Sequence, residues 1–437
     1  MREGARGDAA GCGADLPAQH LAQRVFLVLR PQRAEQQRRR LDARAIEFLA
    51  QRLRFILAQF RGKLRVRRVA MAPRADLRER AARLGFAFAE IAGEPYWDET
   101  ACYRFTAAGI DTLDDATAEL EARCRDGVAY AVQHGMFGPL GIPEGAWPLV
   151  VKSFERQEPS LYGRMDLRWD GTGAPRLLEY NADTPTALFE AGVVQWEWLQ
   201  CLLESGAPEA DQFNSIHEAL IAAWPGLGLG HRVHFTCARD SDEDRGTVDY
   251  LRDTAIQAGI EAPFLYMDEI GWGRGRFRDM EEREIAAIFK LYPWDWLLAE
   301  SFGAHVATAP TRWVEPCWRL IPTSKAFLSL LWYLFPDHPN LLPAFMEPGK
   351  TGGPEISKPL WGREGANIIA PGIATDGPYD AQPRVWQRYD ELPCFNGRYP
   401  VIGSWIVAGK PCGIGIREDA TPVTRDTSRF VPHLFEP

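Results

Sequence analysis

The chain lacks an apolar run long enough to cross a membrane. Its longest strongly apolar stretch, Ala326 to Phe335, is ten residues between Lys325 and Pro336, against the roughly 20 a span requires. It has eight cysteines but no C-x-x-C pair, which indicates neither a zinc site nor a disulfide framework and suits a reducing cytoplasm. No Gly-x-Ser-x-Gly elbow is present for serine catalysis. The eight histidines are scattered without a motif, which leaves Cys/His catalysis little support; His217 and His234 read as structural. A Gly-x-x-x-x-Gly-Lys-Ser/Thr phosphate loop is also missing. The apolar run Val25 to Leu29 is too short for a secretory core of about 7–15 residues, and Glu3, Asp8 and Asp15 argue against a transit peptide.

What remains is a globular composition: 437 residues, 46% apolar, 25% charged, net charge −9. At about 150 residues per domain this allows two or three packed units or one composite fold. The charge is uneven. Residues 1–70 carry fifteen Arg and one Lys against six acids, which leaves −19 for the other 367 residues. Leu41, Ala45, Leu49, Leu53, Ile56 and Phe60 recur every three or four residues, the stripe of a basic amphipathic helix. Residues 1–70 read as a dispensable extension or a start-site artefact, with the natural chain beginning near Met71. The other reading is an arm for nucleic acid or anionic membrane. Elsewhere nucleic-acid binding is not expected.

After Met71 the pattern predicts helices over Ala75–Leu84, Asp111–Tyr130, Thr186–Glu204 and Ala326–Leu334. Val150-Val151-Lys152 reads as extended. His231–Cys237 reads as a strand followed by an acidic loop and the helix Thr247–Ala258, a strand–loop–helix unit that points to an α/β component. The last third alternates short strands with glycine turns, at Glu355–Lys358, Arg384–Tyr389, Val401–Val407 and Gly413–Arg417. Fifteen tryptophans read as packing.

The most informative segment runs from Tyr162 to Asn181. Its middle, Asp170-Gly171-Thr172-Gly173-Ala174-Pro175, is turn chemistry, so the whole reads as a β-hairpin. Symmetry about Thr172–Gly173 pairs Asp166 with Glu179 and Arg164 with Asn181. All four polar groups then share a face, and Met165, Leu167, Leu178 and Tyr180 take the other. Two opposed carboxylates repel unless a cation lies between them. Two carboxylates and an amide suit Mg²⁺ held jointly with nucleotide phosphates, and Arg164 is placed to clamp a phosphoryl group. The alternative is a solvated edge hairpin whose acids pair with Arg168 and Arg176.

A second feature is Ile356-Ser357-Lys358, a strand ending in lysine, followed by Gly362-Arg363-Glu364-Gly365. A Gly-x-x-Gly loop between strands can close over phosphates with its backbone N–H groups, and the lysine can reach them. Such loops are also common turns. Lys325 precedes the apolar helix, Gln387-Arg388-Tyr389 runs into a connector that can hydrogen-bond an adenine, and Arg417 is a further basic candidate.

Several stretches together resemble the glutathionylspermidine synthase family. They are Pro95-Tyr96-Trp97-Asp98-Glu99 with Tyr103, Leu177 to Thr186, Glu315-Pro316-Cys317-Trp318, Ser324-Lys325-Ala326, Phe335 to Leu342, Lys358 to Asn367, Val401 to Trp405, and Gly415-Ile416-Arg417-Glu418. Ordered matches run through some 360 residues. The resemblance implies an α/β (mixed α+β) chain with an ATP-grasp-like ligase fold, preceded by a pre-ATP-grasp-type region, over 71–437. It implies a ligase in which Mg²⁺–ATP phosphorylates a peptide carboxylate and an amine attacks the acyl phosphate.

On that basis Asp166, Glu179 and Asn181 look like Mg²⁺ ligands, and Arg164 and Arg417 like the arginines that stabilise the transferring phosphoryl group. Lys325, Lys358 and the Arg363-Glu364-Gly365 loop look like the ATP clamp, with Gln387, Arg388 and Tyr389 near the adenine. Thr184, Thr186, Glu243 and Asp244 look like contacts for a small peptide such as glutathione, the amine partner being a polyamine or another amine. Residues 1–70 are too short to be the cysteine amidase of bifunctional members, so ligase activity alone is expected. Thr184 and Thr186 stand where the bifunctional enzyme has serines. The non-enzymatic rival is a degenerate ATP-grasp protein acting as a nucleotide-responsive scaffold.

Overall fold

Two antiparallel five-stranded sheets carry the residues of interest. In the first, the strands lie in the order Arg429–Val431, Lys410–Asp419, Tyr399–Val407, Tyr162–Arg168, Arg176–Asn181. In the second, the order is Ala344–Phe345, Arg384–Arg388, Glu355–Pro359, Ile369–Ala370, Ile373–Ala374. The structure is a computed structural model that describes residues 66–436 apart from 92, 207, 208 and 426. The helix expected between Leu41 and Phe60 lies outside the described residues.

The hairpin forms with the expected pairing: Arg164 opposes Asn181 and Asp166 opposes Glu179. A bulge then shifts the register, so that Leu167 opposes Leu177. The extra residue is Leu178. It was expected on the apolar face but is half-buried, and it lines a cavity. A bulge of this kind re-aims side chains locally.

A parallel sheet of Arg312–Val314, Ala287–Leu291 and His234–Cys237 supplies the α/β component. The helix after His234–Cys237 is Asp242–Gln257, five residues longer at its start than the pattern indicates. Ser241 caps it, its hydroxyl accepting from the Asp244 N–H at 3.1 Å. Asp242, Glu243 and Asp244 therefore form a first helical turn rather than a loop, where acids suit the positive end of the helix dipole. The segment Val150-Val151-Lys152 is likewise helical, within Trp147–Glu155. Pro148 in its first turn is pre-set for a helix, and that context overrides the β preference of paired valines. The stretch expected to be one helix from Thr186 contains a π-helical turn, Glu190–Val194, before the α-helix Gln195–Glu204.

The helix Ala107–His134 buries Leu113, Ala116, Leu120 and Cys124, as its period indicates. His234 is buried and 3.2 Å from Asp279, and Trp97, Trp169, Trp224, Trp294 and Trp405 are fully buried; all are packing residues, as expected. A fourth sheet joins Arg67–Ala70, Ala101–Thr106 and His433–Glu436. The paired structure thus starts ahead of Met71. Arg68 forks Glu418 through two hydrogen bonds of 2.8 and 2.7 Å, and Glu418 is fully buried. Among the described residues no helix is long and apolar enough to cross a membrane.

Candidate active site

Both five-stranded sheets contribute walls to one cavity of about 290 Å³. On the first sheet, Arg164 Nε donates to Asp166 Oδ1 at 2.7 Å and Nη2 to Oδ2 at 3.1 Å. Arg417 reaches the same carboxylate from two strands away, its Nη2 2.9 Å from Asp166 Oδ2. Gly403 lies opposite Asp166 on the strand between them. A Cβ there would sit 2.7 Å from Arg164 Cδ, so only glycine lets the arginine lie flat across the strand. The result is one carboxylate between two guanidiniums. Burial lowers the Arg417 pKa first and Arg164 adds to it, against the pull of Asp166.

Glu179 faces lysines instead. Lys325 Nζ is 3.0 Å from Glu179 Oε2, and Asn181 Nδ2 bridges to Glu179 Oε1 at 3.2 Å and Asp166 Oδ2 at 3.4 Å. Burial would raise the Glu179 carboxyl, but the Lys325 and Lys358 ammoniums outweigh it and bring it down to about 2. The cations that opposed carboxylates require are therefore supplied by the protein. Lys358 donates to the Leu178 carbonyl and to Gln387 Oε1, both at 2.9 Å. Its burial, helped by Lys325 and opposed by Glu179, brings it down to about 8. Gln387 in turn donates to the Leu177 carbonyl at 3.0 Å, tying the second sheet to the hairpin.

The glycine loop closes one side. Lys325 Nζ donates to the Gly362 carbonyl at 2.7 Å, and Arg363 is paired to Asp295 at 2.6 Å. Gly365 has φ +68°, and a Cβ there would run into the Thr424 carbonyl. Gly365→Ala is accordingly expected to distort the loop at a strain of about 1–3 kcal/mol. The melting temperature should fall by a few degrees, and a variant that melts with the parent would show that the loop accommodates the side chain.

Of the seventeen residues singled out from the sequence, all but Glu243 line this cavity. Arg388 does so while donating to the Thr351 carbonyl at 3.2 Å. Thr184 and Thr186 stand on the loop after the hairpin, where the Thr186 carbonyl accepts from Arg164 at 2.6 Å. Burial, with Glu243, Glu364 and Asp240 nearby, raises Asp244 to about 7. Glu243 is half-buried beside it. The sequence reading passed over Asp295, Trp296 and Thr323, which also line the cavity, and gave no role to Asp183. Behind Asp183 lies Lys290, the one charge in the apolar strand Ala-Ile-Phe-Lys-Leu. That lone lysine was the available signal.

The family model described as "Glutathionylspermidine synthase preATP-grasp" matches residues 68–436. The chain is also 39% identical over 387 residues to the Haemophilus influenzae protein named "Putative acid–amine ligase", covering 83% of this chain and 98% of that one. The chain belongs to the glutathionylspermidine synthase family. Longer glutathionylspermidine synthase relatives align at lower identity. The trypanothione synthetase of Crithidia fasciculata is 28% identical over 323 residues, covering 66% of this chain and 49% of that protein. The bifunctional glutathionylspermidine synthetase/amidase of Escherichia coli is 28% identical over 370 residues, covering 76% of this chain and 58% of that protein. The chain thus spans about half the length of these two.

Proposed function

We propose that this chain is an ATP- and Mg²⁺-dependent acid–amine ligase, joining a glutathione-like peptide carboxylate to a spermidine-like amine through an acyl phosphate. The observation that carries this reading is the convergence of Arg164, Arg417, Lys325 and Lys358 on two carboxylates and an amide in one cavity. That is the equipment of phosphoryl transfer by positioning and charge neutralisation, with no protein nucleophile.

Asp166 and Glu179 supply the hard carboxylate oxygens that Mg²⁺ prefers, and Asn181, whose Nδ2 donates to both carboxylates, would add its amide oxygen by turning over. When bound with ATP it would neutralise charge on the phosphate oxygens. Lys325 and Lys358 hold the phosphates, the Arg363-Glu364-Gly365 loop covers them, and Gln387, Arg388 and Tyr389 flank the adenine. Thr184, Thr186, Glu243 and Asp244 orient the peptide. The peptide carboxylate takes the terminal phosphoryl group and ADP leaves, with Arg164 and Arg417 stabilising the charge that develops. The amine nitrogen then forms the amide bond, and inorganic phosphate and a proton depart. Excluding water protects the acyl phosphate from hydrolysis. Residence in the cytoplasm belongs to the same proposal.

The test is ADP release from Mg²⁺–ATP with and without glutathione and a panel of polyamines, with products read by mass. ADP that depends on both partners, with an amide product, is the expected result. ATP binding without turnover would move the search to other acids or return the nucleotide-responsive scaffold, and no ATP binding would overturn the nucleotide site itself.

A pH effect follows from Lys358. It is charged below about pH 8 and neutral above, and ATP phosphates favour the charged form. ATP affinity of the free enzyme should therefore weaken as pH rises through 8, and in Lys358→Met that dependence should vanish. Calorimetric titration at pH 7 and 9 decides; equal affinities at the two values would exclude Lys358 as a phosphate ligand.

A further inference from the structure

The five residues after the hairpin, Ala182 to Thr186, line the cavity without regular secondary structure. Such a segment keeps its shape only if its polar groups are held from outside. The Ala182 carbonyl accepts from Arg319 Nε at 2.7 Å, the Pro185 carbonyl from the Tyr162 hydroxyl at 3.3 Å, and the Thr186 carbonyl from Arg164 at 2.6 Å. Asp183 is anchored differently, because both its oxygens are engaged by the parallel-sheet region. Oδ1 accepts from Lys290 Nζ at 2.6 Å and Oδ2 from the Trp294 backbone N–H at 2.8 Å.

Lys290 is fully buried and Asp183 nearly so. The ammonium also donates to the Tyr292 carbonyl at 2.9 Å and lies 4.5 Å from the centroid of the Trp294 ring. A dry ion pair contributes little net stability over an apolar replacement, because desolvation offsets the attraction. What it contributes instead is direction: one geometry satisfies all the donors. Thr184 follows immediately.

We infer that Lys290 is a positioning residue, which acts through Asp183 to fix the loop Ala182–Thr186 so that Thr184 and Thr186 present the acid substrate to Arg164. The role assigned to the threonines rests on the function proposed above; the fixing of the loop does not. Lys290 touches no substrate. Its effect is on where the loop stands.

The test uses the full chain with Lys290→Met and Asp183→Asn combined, which removes both charges and leaves no buried ion unpaired. Two readouts are taken, amide hydrogen exchange of residues 182–187 and steady-state kinetics with glutathione, a polyamine and Mg²⁺–ATP. The expected result is a double variant that melts near the parent. Its loop should exchange at least tenfold faster and its Km for glutathione rise at least tenfold, with the Km for ATP within twofold. A folded double variant with parental exchange and parental Km would overturn the inference.

Should the double variant not fold, Lys290→Gln decides alone. Its shorter neutral donor should give the same split between the two Km values, and a parental glutathione Km would overturn the inference. If the parent itself shows no glutathione-dependent turnover, the substrate reading has failed, and the exchange measurement judges the loop alone.

Discussion

Replacing Asp166 with asparagine is expected to lower ATP turnover about a thousandfold or more, and also to destabilise the fold. The first effect follows from removing a proposed metal ligand from a site that works by electrostatics. The second follows from the geometry. Asp166 is buried and accepts from both Arg164 and Arg417, so its neutralisation leaves two guanidiniums facing each other without a counter-charge. Removing one partner of a buried pair costs about 3–5 kcal/mol. The two effects separate in the combination with Arg417→Met, which removes the repulsion between the guanidiniums and should recover part of the melting temperature and none of the turnover. Turnover at the parental rate in Asp166→Asn would withdraw the metal assignment.

Trimming the chain to begin at Met71 is expected to be as costly to stability. It deletes the strand Arg67–Ala70, which pairs residue by residue with Ala101–Arg104. It also removes the guanidinium forked onto Glu418, a carboxylate that otherwise accepts only from the Tyr103 hydroxyl, at 2.7 Å, among the described residues. A fully buried carboxylate short of its counter-ion costs about 3–5 kcal/mol. Arg68→Leu in the full chain should reproduce most of the loss, because it removes the charge and keeps the strand. Thermal melts of the three proteins are the measurement. A trimmed chain melting with the parent would support Met71 as the boundary of the folded unit, as the sequence pattern proposed.

The features legible in the sequence were those with short-range causes. The hairpin register from Arg164 to Glu179 follows from alternation and six turn residues, both local. The bulge at Leu178 does not, because it depends on the hairpin's packing against neighbours far along the chain: Gln387 holds the Leu177 carbonyl and Lys358 that of Leu178. Val150-Val151-Lys152 differs from the extended reading for a nearer cause, since Pro148 in the first turn pre-sets a helix that overrides the β preference of the valine pair. Arg164, Asp166, Glu179 and Lys358 stand out in the sequence because charged side chains in otherwise apolar strands need a purpose, whereas Thr184, Thr186, Glu243 and Asp244 stand out only through the family resemblance. Long-range pairing does not stand out. Arg68 meets Glu418 across 350 residues, and Lys290 meets Asp183 across 107; no local pattern marks either.

The first five-stranded sheet seats the hairpin beside Tyr399–Val407, a strand made more than two hundred residues later. During synthesis at about 5–20 residues per second, the hairpin waits on the order of 10–40 s for its neighbour. Met165, Leu167 and Tyr180, all buried in the finished protein, have no sheet to join in that interval. The nascent chain is therefore most exposed to aggregation just when its future active-site strands are complete. A chaperone that holds the nascent hairpin, or faster elongation between the hairpin and Tyr399–Val407, should raise the soluble yield more than a change to the folded protein's stability.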